Sequence, residues 1–237
     1  MQNVTEERWK YIGGSDIPAV MGISTFKSRF DLLLEKAQFK NNDFNGNEYT
    51  EYGNIMEEKI RDYINFYYKK NFLEDKVIKD DLRYHSDGFD GETVLEIKTT
   101  SVINDDVREY KRYLVQLLFG MQMHNVKKGL LAVYQRPVDF DTEFTNLNLY
   151  TYDIEIDDYK DLLQEINDAV EQFRIDLKRL KENPSLIEQD FMPPEVVECA
   201  NKLEVMERQL EGFKIIEKAY KQLKYFLFKL MTRYNIK

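Results

Sequence analysis

The segment LEIKTT, residues 95–100, sets a carboxylate and an ammonium two positions apart among strand-forming residues. Leu95, Ile97, Thr99 and Thr100 favour an extended backbone, where side chains i and i+2 share a face, so Glu96 and Lys98 point the same way. Asp87, in HSDGFDG, lies in a turn composition that delivers a second carboxylate at the end of the preceding strand. A strand pair can bring Asp87 and Glu96 together. Two such carboxylates suit Mg²⁺ or Mn²⁺, hard cations that keep water ligands and accept phosphate oxygens. Lys98 can then orient or help deprotonate a metal-bound water and stabilise charge developing on a phosphate, which is the chemistry of phosphodiester hydrolysis.

Each element has a blander reading. A Glu-x-Lys pair on a strand is most often a solvated salt bridge of little worth. Asp-Gly is usually only a turn. In MEEKIRDYINFYYKK, Met56, Ile60, Tyr63 and Tyr67 recur at helical spacing, and Glu57 beside that stripe can pair with Arg61 at i+4. His85 and His124, without i+4 spacing, point to local hydrogen bonds rather than zinc.

The elements that must position these residues read as follows. GGSDIPAVMG, residues 13–22, is a glycine turn feeding a short helix, with Ser15 or Asp16 as cap and Gly22 as stop. Residues 29–38 form a helix, NNDFNGNEYTEYGN a loop, and the segment from Met56 a further helix. Val77 to Thr100 reads as strands broken by a turn at Asp87 to Gly91, and VREYKRYLVQLLFGMQMH returns to helical periodicity. Strands at 128–134 and 147–156 and an amphipathic helix over 158–182 complete a mixed sheet flanked by helices. The division expected is 1–191 for this α/β domain and 192–237 for a helical extension, one or two helices over 196–234.

The composition excludes several classes. With 43% hydrophobic residues the chain can bury a sizeable core. A single cysteine, Cys199, rules out an internal disulfide framework and cysteine-ligated zinc or iron–sulfur sites, and fits a reducing, cytoplasmic setting. There is no apolar run of membrane-span length and no hydrophobic signal segment in MQNVTEERWK, so no membrane association is expected. The net charge of −9 argues against coating nucleic acid by bulk electrostatics, but leaves room for a local basic or metal-neutralised groove.

Asp87 followed by Glu-x-Lys, with Glu57 on a preceding helix and Gln116 on a following one, resembles the PD-(D/E)xK nuclease superfamily, and more narrowly the phage lambda-type exonucleases of the YqaJ-like viral recombinase family. The resemblance runs from about residue 6 to 195. It includes Arg8 before the small-residue turn with Ser15, a G-x-x-x-E helix at Gly53 to Glu57, the S-x-D-G-like turn at Asp87, the E-x-K of Glu96 and Lys98, and Y-x-x-Q at Tyr113 and Gln116. Ser86 stands where the family has proline, and Asp90 is a second acid close to the turn.

The resemblance implies a restriction-endonuclease-like α/β core and a Mg²⁺-dependent deoxyribonuclease, with Mn²⁺ as an alternative metal. Asp87, Glu96, Glu57 and the Ile97 backbone carbonyl would be metal ligands. Lys98 and Gln116 would act on the attacking water, with Tyr113 nearby, and Arg8 and Ser15 would hold a DNA 5′ phosphate. It further implies a 5′→3′ exonuclease on linear double-stranded DNA in phage-type recombination, forming a homo-oligomeric ring, commonly a trimer, working with a single-strand annealing recombinase in the cytoplasm of a host cell. An endonuclease or defence-system nuclease would use the same site. A catalytically silent protein would instead bind partners through the stripe Leu203, Met206, Leu210, Phe213, Ile216 and Tyr220.

Overall fold

The computed structural model describes residues 7–41 and 46–233, the side chains of Met231 and Thr232 excepted. The chain divides into two compact units, residues 1–185 and 186–237. The first is a six-stranded mixed sheet with helices, the α/β class expected. Its strands are β1 (Ile12–Gly13), β2 (Leu73–Lys79), β3 (Leu82–Phe89), β4 (Thr93–Thr100), β5 (Lys128–Gln135) and β6 (Leu149–Glu155). The helices of this unit are α1 (Ile17–Val20), α2 (Arg29–Lys36), α3 (Glu48–Tyr68), α4 (Lys111–His124) and α5 (Lys160–Glu182).

Strand β4 is the axis of the unit, parallel to β5 and antiparallel to β3. Its alternation explains why apolar and charged residues mix in LEIKTT. Leu95 and Ile97 join α3 residues Tyr52, Met56, Ile60 and Ile64 in one core cluster. Helix α4 packs against β3, β4 and β5. Glu96, between Leu95 and Ile97 in the strand, is only 4% exposed, so this carboxylate is enclosed by protein.

One edge of β3 pairs with β2 along its length, from Leu82 opposite Lys79 to Phe89 opposite Leu73. The other edge is shared: β1 pairs parallel with Leu82 and Arg83, and β4 pairs antiparallel with Gly88 and Phe89. Between the two partners lies Tyr84 to Asp87, where side chains rather than a backbone ladder meet β4.

Several local expectations are corrected. The turn between β3 and β4 is at Asp90–Glu92, not at Asp87, which lies inside β3. Gly91 takes φ +95° and the Asp90 carboxylate accepts from the amides of Glu92 and Thr93, so the second Asp-Gly step makes the turn. Gly88 has another purpose: a Cβ there would lie 2.7 Å from Phe72 Cβ. Helix α3 begins at Glu48 and absorbs half of the expected loop, because Asn47 caps it by accepting from Thr50 N at 3.1 Å; residues 42–45 of that loop lie outside the described residues. Ser15 does not head α1. It lies in a 3-10 turn, Gly14–Asp16, before a helix of four residues, and Asp16 makes no side-chain cap bond.

Asp16 is used differently. Its carboxylate and the Lys36 ammonium, both 3% exposed, form a 2.6 Å ion pair. Lys36 also donates to the carbonyls of Arg8 and Tyr11, and Gly13 N donates to Asp16, so α2 pins the whole amino-terminal turn.

The second unit consists mainly of α6 (Pro194–Arg233), one continuous helix rather than two; Tyr234, at the end of the expected span, lies outside the described residues. Among the described residues no helix is long and apolar enough to cross a membrane.

Burial raises the Asp16 carboxyl, but Lys36 and Arg8 outweigh it and hold the pKa below its ordinary 3.8. A lowered folded-state pKa contributes stability above the unfolded value and loses it as pH falls through the folded one. Lys36→Met is therefore expected to cost about 3–5 kcal/mol at pH 7, the range for breaking a buried pair. Urea unfolding of wild type and variant at pH 7 and below pH 3.8 should show the gap narrowing on acidification; an equal gap at both would reject the pair as its source.

Candidate active site

The strand arrangement brings Asp87, Glu96 and Lys98 together. In the β3–β4 register Gly88 faces Leu95, and at the next step Asp87 Oδ2 accepts from Ile97 N at 2.6 Å. Lys98 Nζ lies 2.6 Å from Glu96 Oε1 and 3.9 Å from Asp87 Oδ2. The Glu-x-Lys pair is thus half-enclosed rather than solvated, with Glu96 buried and Lys98 26% exposed. Burial disfavours the charged Lys98, but Glu96 and Asp87 prevail and raise its pKa, so it stands as an ammonium.

Glu57 approaches from α3. It accepts from Arg61 Nη1 at 3.1 Å, as the simple i+4 reading expects, yet it also feels Lys98 as an attracting charge and acts on Asp87 as a repelling one. Burial raises the Glu57 carboxyl pKa. Arg61 binds the backbone carbonyl of Asp87 at 2.6 Å and Glu74 at 2.8 Å, which ties α3 to β2 and β3 beside the carboxylates.

The second oxygen of Glu96 has a partner the sequence reading missed. The Tyr84 hydroxyl donates to Glu96 Oε2 from a side chain that is itself buried. Its ring stands where two glycines leave space: a Cβ at Gly14 would fall 2.5 Å from Tyr84 Cδ2, and one at Gly120 2.2 Å from Cζ. Gly14 belongs to the turn that carries Ser15, and Gly120 lies on the Tyr113–Gln116 face of α4. Nothing in the spacing of Tyr84 and Glu96 marks them as partners; the signal available was the pair of glycines.

Gln116 is half-buried, and its Nε2 donates to Arg112 O in its own helix. Tyr113 stacks on Tyr110 at 5.9 Å. Among the described residues no hydrogen bond or ring contact joins either to Glu96 or Lys98. Ile97 enters the site by its N–H. Asp90 serves its turn and pairs with Lys70 at 2.7 Å. His124 bonds Gly120 O and Asp75, while the buried His85 Nε2 has no hydrogen-bond partner among the described residues.

Arg8 and Ser15 also meet. Arg8 Nη2 donates to Ser15 Oγ and Asp16 Oδ1, both at 3.2 Å. The Arg8 side chain is 38% exposed, and among the described residues its donors other than Nη2 make no hydrogen bond.

The donor chemistry fits a hard divalent cation. Burial pushes the Asp87 carboxyl well above its ordinary 3.8, and Glu96 and Glu57 add to this against Lys98 and the Ile97 amide. A divalent cation bound beside these carboxylates would offset that penalty and favour their ionised forms. The oxygens do not converge as three ligands: among the described residues no group of three or more His, Cys, Asp or Glu side chains is placed to share an ion.

The model of the YqaJ-like viral recombinase domain matches residues 5–123, half of this chain. The chain belongs to that family. Among solved structures it is similar to a phage-related exonuclease from Haemophilus somnus 129PT, at 15% identity and a TM-score of 0.55 over 74% of this chain and 96% of that one. It is also similar to the alkaline exonuclease LHK-Exo from Laribacter hongkongensis, at 16% identity and 0.52 over 75% and 95%, and to the same enzyme in complex with dAMP at 15% and 0.52. No curated protein sequence matches. At these identities the structural likeness establishes a shared fold for the YqaJ-like chain.

Tyr84→Phe keeps the ring between the two glycines and removes one donor from a buried carboxylate. The expected cost is about 1–3 kcal/mol, readable in urea unfolding of the metal-free protein. A loss below about 0.5 kcal/mol, the level of an inconsequential substitution, would show that the hydroxyl does not stabilise Glu96.

Proposed function

We propose that this YqaJ-like protein is a metal-dependent DNA exonuclease that hydrolyses linear double-stranded DNA from the 5′ end. The observation that carries the reading is the cluster of Asp87 and Lys98, both partly exposed, around the buried Glu96 on adjacent strands, with Glu57 beside it, in a chain of this family. The structural neighbours named as exonucleases support the same reaction class.

Asp87 and Glu96 would hold Mg²⁺ or Mn²⁺, with the Ile97 carbonyl and Glu57 as further oxygen donors. When bound, such an ion supplies Lewis acidity toward the scissile phosphate and makes a water a stronger nucleophile at neutral pH. The protein's own groups do the rest. Lys98 places a fixed positive charge beside the carboxylates, where charge develops on the phosphate oxygens. Tyr84 holds Glu96 Oε2 and so sets the direction of Oε1. Gln116, its Nε2 tied to Arg112, keeps an amide oxygen for orienting water.

Arg8 and Ser15 would bind the terminal 5′ phosphate, Arg8 through its remaining donors and Ser15 through its hydroxyl. In this reading digestion leaves a 3′ single strand, the form a single-strand annealing recombinase takes up, and a homo-oligomeric ring around the duplex keeps the enzyme on its substrate.

Linear duplexes labelled at one 5′ end, with and without the phosphate, should lose label in Mg²⁺ and not in EDTA, faster with the phosphate, while a closed circle survives. Cutting of the circle would replace this reading with an endonuclease. Lys98→Ala and Glu96→Gln are each expected to lower kcat at least about 100-fold, the scale of removing one group that stabilises transition-state charge, while DNA binding persists. Cleavage at the wild-type rate by either variant would remove the site from the mechanism. Arg8→Ala should equalise the rates on phosphorylated and unphosphorylated ends without lowering the latter; a retained preference would assign the phosphate elsewhere.

A further inference from the structure

Helix α6 has a symmetry that the nuclease site does not use. Its exposed apolar residues Leu203, Met206, Leu210, Phe213, Ile216, Tyr220 and Leu223 recur in steps of three, four, three, three, four and three. That series reads the same in both directions from Phe213. Continuing by steps of four reaches Cys199 on one side and Leu227 on the other. The steps of three and four are those of a helix-pairing seam, and the doubled three at the centre tightens the left-handed winding of the stripe.

Any two identical helices placed parallel bring like residues together, so a parallel pair needs no such symmetry. An antiparallel pair needs it, because only a reversible stripe meets itself apolar residue to apolar residue. With a two-fold axis at Phe213, Leu203 faces Leu223 of the second copy, Met206 faces Tyr220 and Leu210 faces Ile216.

The charges select the same direction. Glu195, Glu198, Glu204, Glu207 and Glu211 dominate the first half of α6, against Lys202 and Arg208. Lys214, Lys218, Lys221, Lys224 and Lys229 dominate the second, against Glu217. Intrahelical pairs bind Lys202 to Glu198, Arg208 to Glu204 and Lys221 to Glu217. Leaving out Lys218, which lies on the far side of the helix from the stripe, the surplus is Glu195, Glu207 and Glu211 on one side of Phe213 and Lys214, Lys224 and Lys229 on the other. The helix dipole favours this order only within the first and last turns, whereas the segregation extends to the middle of the 40-residue helix. A parallel pair would lay acid on acid and base on base; an antiparallel pair lays each half on its complement.

We propose that α6 is a self-association element that pairs antiparallel with α6 of a second copy of this chain, about a two-fold axis at Phe213. The contact is isologous, so each α6 takes one partner and the pair closes on itself.

The single cysteine of the 237 residues supplies the test in the whole chain. In the antiparallel pair Cys199 faces Leu227 of the second copy, and the two Cys199 residues are separated by roughly 40 Å at 1.5 Å per residue. Leu227→Cys should give a disulfide-linked dimer on mild oxidation, and wild type should not. Phe213→Asp, which sets two like charges against each other at the axis, should halve the mass measured by light scattering. Mixing in Lys218→Cys, on the opposite side of the helix from the stripe, should give no linked dimer. Efficient linkage of wild type through Cys199 would establish the parallel arrangement and overturn the proposal. An unchanged mass for Phe213→Asp, or no linkage of Leu227→Cys, would overturn self-pairing by α6. None of these readouts depends on nuclease activity, so the proposal stands or falls apart from the reading of the active site.

Discussion

The first unit is organised around one costly act, the enclosure of the Glu96 carboxylate within the sheet. An isolated buried carboxylate is strongly disfavoured unless it is paired and hydrogen-bonded. Here one oxygen meets the Lys98 ammonium and the other the Tyr84 hydroxyl. Both partners are side chains on neighbouring positions of the same sheet, so the compensation depends on strand register. A slip of one residue in β4 would turn Glu96 and Lys98 toward the α3 side and Leu95 and Ile97 away from it.

That compensation has further requirements. Tyr84 can reach Glu96 because β3 exchanges its partner on one edge, from β1 at Leu82 and Arg83 to β4 at Gly88 and Phe89. Its ring then occupies space that Gly14 and Gly120 leave open. These two glycines come from opposite ends of the matched region, one in the turn before α1 and one in α4. Their lack of a side chain is a packing condition for the Tyr84–Glu96 bond rather than a matter of backbone freedom. The amino-terminal turn is fixed in its turn by Asp16 and Lys36, a buried pair that reaches back to the carbonyls of Arg8 and Tyr11.

The elements carrying the strongest periodicity were readable in sequence: β4, β5, the later part of α3, α4 and α5 all lie where the patterns put them. So was the meeting of Asp87, Glu96 and Lys98, because i and i+2 on a strand share a face and the acid precedes it by one hairpin. What escaped depends on contacts distant in sequence. HSDGFDG holds two Asp-Gly steps of identical local chemistry, and it is the pairing of Gly88 with Leu95 and the approach of Phe72 to Gly88 that place the first in a strand. Tyr84, Arg61 and Lys36 resemble ordinary strand and helix residues, and their roles arise from what the fold sets opposite them. Ser15 was expected to head a helix because Ser-Asp before an apolar run has the composition of a cap, but Asp16 is drawn instead to Lys36.

The same network places the amino-terminal turn in mechanical contact with the acidic cluster. Arg8 and Ser15 belong to a segment whose next neighbour, Gly14, touches the Tyr84 ring, and the hydroxyl on that ring holds Glu96. Only two contacts, Gly14 against Tyr84 and Tyr84 to Glu96, therefore separate the turn that carries Ser15 from the carboxylate beside Lys98. Close-packed interiors transmit small displacements because neighbouring side chains have little room to absorb them. A side chain at Gly14 would therefore press on the Tyr84 ring and through it on the Glu96 carboxylate, which makes the smallness of that turn a condition of the Tyr84–Glu96 bond.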